Sequence, residues 1–103
     1  MVKAAKGSLV LKERFHIIHQ KEKIILDFMP LLKKTIEELG GRWIGCYRTY
    51  LGEGEFDEWE MLFEFPEMNW LETLFHKLDR LPEAKNWHEF TSNRSNKILK
   101  LRY

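Results

Sequence analysis

Setting aside charges that only solvate a surface, few side chains of this sequence are of types that do chemistry near neutral pH. They are Cys46, four histidines (His16, His19, His76 and His88) and, for reasons of context, Glu13. His16 and His19 are three apart in a segment of strand character, which puts them on opposite faces and argues against a shared metal. His76 and His88 fall on separate helical segments, and no HxH or CxxC signature occurs, so neither metal nor other cofactor is expected. Cys46 has no histidine placed by sequence to activate it and reads as a small packing residue. Glu13 stands apart because its neighbours by alternation are apolar, and an unpaired carboxylate in an apolar layer needs a donor or stays protonated.

The elements that must position these groups follow from periodicity. "LVLKERFHIIH" (Leu9 to His19) is rich in β-branched and aromatic residues with partial alternation, predicting a first strand. From Lys21 to Leu39, Ile25, Phe28, Met29, Leu32, Ile36 and Leu39 recur at spacings of three and four, predicting an amphipathic helix that kinks at Pro30 and ends at Gly40 and Gly41. "RWIGCYRTYLGEGEFDEWEMLFEF" (Arg42 to Phe65) predicts a hairpin turning at Gly52 and Gly54, with Pro66 stopping its second strand. Trp70, Leu71, Leu74, Phe75 and Leu78 predict a second helix. "LPE" (Leu81 to Glu83) ends it, and Ala84 to Phe90 make a short extra one. "TSNRSN" reads as a polar loop and "KILKLRY" (Lys97 to Tyr103) as the last strand. The order is βαββαβ, the ferredoxin-like α+β arrangement with a four-stranded antiparallel sheet. Residues 1–8 are expected to be a flexible arm and 9–103 one domain.

Composition removes whole classes of function. With 44% hydrophobic and 32% charged residues in 103, the chain has material for one core and is not a disordered sequence. A formal net charge of +1 supplies no global field for nucleic acid or an anionic membrane, and RNP signatures are missing, so neither partner is expected. The longest apolar runs fall far below a membrane span, a lone cysteine cannot close an intramolecular disulfide, and no secretory leader is evident. A cytoplasmic protein is the natural expectation.

Strict alternation divides the strands into two faces. Leu11, Glu13, Phe15, Ile17, Trp43, Tyr47, Trp59, Met61, Phe63, Phe65 and Leu99 form a nearly all-apolar set, expected to meet the helices. The other set mixes Arg14, His16, Arg48, Glu60, Glu64 and Arg102 with Ile18, Ile44, Cys46, Tyr50, Leu62 and Ile98. Acidic strand three should pair with basic strand one, a pattern that favours register. Apolar residues kept together on a charged face point to a covered surface rather than a wet one. A second copy of the chain would cover it, with Arg14, His16, Arg48, Glu60, Glu64 and Arg102 in a homodimer interface.

"LKERFHII", "LGGRWIGCYRTYLGE" and "EWEMLFEFPEMNWLE" resemble the NIPSNAP-like branch of the dimeric α/β-barrel superfamily. Glu13, Arg14 and Phe15 match its acidic, basic and aromatic sequence in strand one, Gly45 and Tyr47 its glycine and aromatic in strand two, and Trp59 its aromatic in strand three. The resemblance implies a dimeric ferredoxin-like barrel with a cavity between sheet and helices in enzymatic members. A small hydrophobic or aromatic ligand would lie there against Tyr47, Trp59 and His76, with Glu13 as general acid or base of a cofactor-free monooxygenase or isomerase. The alternative is a non-catalytic interaction or stress-response module in which Glu13 merely orders the core and Trp43, Trp59 and Phe63 fill the cavity.

Overall fold

The computed structural model describes residues 8–50, 58–100 and 102; the N-terminal arm up to Gly7, the expected hairpin turn, Leu101 and Tyr103 lie outside the described residues. Strand β1 (Leu9–Ile17) is followed by helix α1 (Glu22–Glu38), strands β2 (Arg42–Arg48) and β3 (Glu58–Phe65), helices α2 (Met68–Asp79) and α3 (Ala84–Phe90), and strand β4 (Thr91–Lys100). The sheet is antiparallel with order β2-β3-β1-β4, so β1 is central, as the ferredoxin-like arrangement requires.

The two long helices bury most of the stripe their spacing marks out, with Phe75 of the expected α2 stripe left half exposed. Ile25, Phe28, Met29, Leu32 and Ile36 of α1 and Trp70, Leu71 and Leu74 of α2 join one core with Leu11, Phe15, Ile17, Met61, Phe63 and Phe65 of the sheet. The helix α1 continues through Pro30, which lies on its exposed side, so the missing amide bond falls toward solvent. At its end, Gly40 takes a φ of +90°, its amide donates to the Glu37 carbonyl and that of Gly41 to the Ile36 carbonyl. This left-handed closure is the one glycine favours. The Trp70 indole N–H donates to the Leu39 carbonyl at 2.7 Å, tying α2 to the end of α1 and satisfying a carbonyl the helix leaves open.

Two bulges reassign the faces. Between Trp43↔Phe63 and Gly45↔Leu62, β2 advances two residues while β3 advances one. Residues directly opposite in an antiparallel pair share a face. Trp43 therefore points to the helices, and past the extra residue Ile44 it is Cys46 and Arg48, opposite Met61 and Trp59, that share the helix side, not Tyr47. The Tyr47 ring lies instead across Gly45, its atoms 2.8–2.9 Å from where a Cβ there would stand. On β4 the extra residue falls between Arg14↔Ser95 and His16↔Ser92, beside Asn93 with its φ of +49°. The expected "TSNRSN" loop is thus the bulged first half of β4, held as a strand by pairing with β1. Farther along, Ile98 shares the helix side with Leu11, and Leu99 the outer side with Val10, the reverse of strict alternation.

The outer face carries the expected pairing of basic β1 with acidic β3. Lys12 meets Glu60 at 3.5 Å, Arg14 meets Glu58 and also Glu60, and Arg42 at the edge meets the buried Glu64 at 3.7 Å. These groups close on each other within one chain.

Candidate functional site

The helix-facing layer is not filled throughout. Two aromatic clusters pack at its flanks: Phe63, Phe65 and Trp70, with Phe65 and Trp70 stacked at 5.7 Å, and Phe15, Phe28 and Trp87, with Phe15 and Trp87 edge-to-face at 4.7 Å. Phe63 from the first cluster and Phe28 and Trp87 from the second line a cavity of about 320 Å³ under α2 and α3. Leu11, Leu32, Met61 and Leu74 continue its apolar wall.

The polar part of the wall is built on β1, β4 and α3. Glu13 projects from the central strand, and Asn96 stands directly opposite it on β4. Two residues back along β4, next to the bulge at Asn93, the exposed Arg94 lines the same cavity. Its Nη1 lies 3.0 Å from Nδ1 of His88. A guanidinium only donates, so Nδ1 accepts, which puts the imidazole proton on Nε2. Asp79, the last residue of α2, also lines the cavity.

Burial pushes the Glu13 carboxyl above its ordinary range, because the charged form loses solvation, and the Arg94 guanidinium opposes that shift. Such a carboxyl can hold a proton at higher pH than a surface glutamate and surrender it within the cavity. On β2, burial pushes the Cys46 thiol up to about 11, so it is a poor nucleophile at neutral pH.

Of the residues singled out from sequence, Glu13 lines the cavity, and Tyr47, Trp59 and His76 do not. Trp59 is on the helix side but packs opposite Phe15 and beneath the Arg48 guanidinium, 5.4 Å from its ring. Tyr47 is carried to the outer side by the Ile44 bulge, and His76 is exposed on α2. Arg14, His16, Glu60 and Glu64 lie on the outer face as expected. Arg48 is turned away from it by the same bulge, and Arg102 is exposed beyond β4. Arg94, Asn96 and Asp79 were missed by sequence reasoning; the available signal was that Arg94 and Asn96 share parity with each other and lie two apart. Among the described residues no group of three His, Cys, Asp or Glu is placed to hold a metal ion. No described helix is long and apolar enough to cross a membrane.

This ferredoxin-like fold is similar to that of solved NIPSNAP-like proteins and of an antibiotic biosynthesis monooxygenase. The chain is similar to a candidate antibiotic biosynthesis monooxygenase from Nitrosomonas europaea, with a TM-score of 0.76 at 10% identity over 99% of this chain and 97% of the other. A NIPSNAP family protein from Agrobacterium tumefaciens superposes at a TM-score of 0.71 with 15% identity, covering 97% and 90%. SnoaB of Streptomyces nogalater, a cofactor-independent oxygenase, does so at 0.68 with 8% identity, covering 94% and 95%. At these identities the likeness is one of fold. No protein-family model matches the chain, and no curated protein matches it.

Proposed function

We propose that this protein binds a small, largely apolar molecule between sheet and helices and that Glu13 exchanges a proton with it, as a cofactor-free isomerase or monooxygenase requires. The observation that carries this reading is the open cavity of about 320 Å³ with Glu13 in its wall. Of Trp43, Trp59 and Phe63, which would have to fill the cavity in a non-catalytic module, Phe63 lines it without filling it, and Trp43 and Trp59 pack against the core outside its lining. The fold it shares with SnoaB, a cofactor-independent oxygenase, is consistent with this chemistry.

The chemistry needs only a base of raised proton affinity in an apolar setting. Glu13 takes a proton from a carbon next to a carbonyl. Returning it to another carbon isomerises the molecule. If dioxygen adds to the carbanion instead, CH₂ becomes C=O and the second oxygen atom leaves as water.

A bicyclic ketone with acidic C–H bonds, 2-tetralone, tests both halves in D₂O by NMR. Saturable exchange of its C1 protons is expected, with Glu13→Gln slowing it about a hundredfold or more while 2-tetralone still binds. Leu78→Trp, which fills the cavity from α2, should abolish binding while circular dichroism is unchanged. Exchange that survives Leu78→Trp in a folded protein overturns the reading.

The outer sheet face is the proposed homodimer surface. Its support is apolar: Val10, Leu62, Leu99 and the half-exposed Tyr47 lie among ion pairs already closed within the chain. Light scattering should therefore give about twice 12.5 kDa in low and in high salt. A monomer in both would remove this part of the proposal.

A further inference from the structure

The polar wall is asymmetric in a way that proton exchange alone does not need. Beside Glu13, Arg94, next to the bulge at Asn93, lines the cavity from the exposed edge strand, and His88 accepts a hydrogen bond from one corner of its guanidinium. Among the described residues, His88 is the hydrogen-bond partner of Arg94, although a guanidinium has five N–H groups to donate. Besides Glu13, Arg94 and His88 the lining holds the polar Asn96 and Asp79, and the rest of it is apolar. A neutral hydrocarbon body fits the wall of Leu11, Phe28, Leu32, Met61, Phe63 and Trp87 and leaves Arg94 unused. A carboxylate on that body would use it, in the paired N–H···O geometry for which guanidinium is suited.

We propose that the cavity selects small apolar molecules bearing one carboxylate, which docks on Arg94 beside Glu13. This deepens the ligand-binding reading and rests on it. The ionisable groups in the cavity wall are Glu13 on β1, Asp79 on α2, His88 on α3 and Arg94 on β4. A bound carboxylate neutralises Arg94, whose charge otherwise favours the ionised form of Glu13, and places a second anion near that side chain. Glu13 then takes up a proton as the ligand binds, so affinity and proton affinity are linked, and toward a carboxylate ligand Glu13 stands as general acid rather than as base.

The test compares 2-naphthoate with the neutral, similarly shaped 2-acetylnaphthalene by isothermal titration calorimetry at low salt. The carboxylate should bind about tenfold tighter or more. Arg94→Gln should erase the preference by weakening 2-naphthoate while leaving 2-acetylnaphthalene unchanged, and Arg94→Lys should restore part of it. Repeating the titrations near pH 6 in buffers of different ionisation enthalpy should show proton uptake with 2-naphthoate, none with 2-acetylnaphthalene, and a loss of the uptake in Glu13→Gln. Equal binding of the two probes overturns the carboxylate proposal and leaves the cavity reading standing, as does a preference that persists in Arg94→Gln. Failure of both probes and of 2-tetralone to bind overturns the two together.

Discussion

Glu13 and Arg14 are neighbours in sequence and opposites in circumstance. Arg14, on the outer face of the sheet, is half exposed and spans Glu58 and Glu60 on the adjoining strand. Glu13, one residue away, faces a largely apolar cavity where burial raises its proton affinity and a single guanidinium from the edge strand opposes the shift. The outer face neutralises charge pair by pair and so gains register at little cost. The inner face keeps a carboxyl with incomplete compensation, and its proton affinity rises for that reason.

The severest way to break this contrast is to open the inner layer. Phe15→Ala removes a fully buried ring packed edge-to-face on Trp87 and should cost about 3–5 kcal/mol in urea unfolding, whereas Lys12→Ala on the other side of the same strand should cost under about 1 kcal/mol. The next largest effect depends on pH. With the folded pKa of Glu13 above the unfolded 4.5, the folded state holds the proton more tightly in the window between them, so stability falls as pH rises through it and stays reduced above. Glu13→Gln removes that fall, and its melting temperature relative to the parent should be higher near pH 7 than near pH 4. An equal offset at both would show that burial does not perturb the carboxyl.

Smaller still is the outer pairing. A double-mutant cycle on Arg14 and Glu58 should give a coupling of about 0.2–1 kcal/mol that shrinks in about 1 M NaCl, where the Debye length is ~3 Å. Last is a rate rather than a stability. A thiol pushed up to about 11 should react slowly with a disulfide reagent near pH 8 and accelerate as pH climbs toward that value. Fast labelling near pH 8 would place Cys46 on the outer side after all and contradict the Ile44 bulge.

The strands that were legible from alternation are those that pair without interruption. Leu11, Phe15 and Ile17 of β1 and Met61, Phe63 and Phe65 of β3 face the helices as their spacing says, because the register between these strands is continuous. The same rule placed Tyr47 in the core and Arg48 on the dimer face, and both are reversed. One inserted residue in a period of two flips everything after it, and nothing in the composition around Ile44 marks the insertion. At "TSNRSN" the difficulty was different: serine and asparagine favour turns locally, and only the long-range pairing with β1 makes a strand of them. Arg94 was hidden by that reading, because its shared parity with Asn96 counts only once the segment is taken as a strand, while Glu13 was visible because the pairing of β1 with β3 is regular.

The placement of Glu13 and Arg94 on strands of different rank also bears on motion. β1 is hydrogen-bonded on both sides, so its amides should open only with the whole molecule and exchange slowly with deuterium. β4 is bonded on one side and interrupted at Asn93, and should open at a far lower free energy. The cavity wall thus holds its carboxyl on the most firmly bonded strand of the sheet and its guanidinium on an edge strand, so exchange at Arg94 should outpace exchange at Glu13.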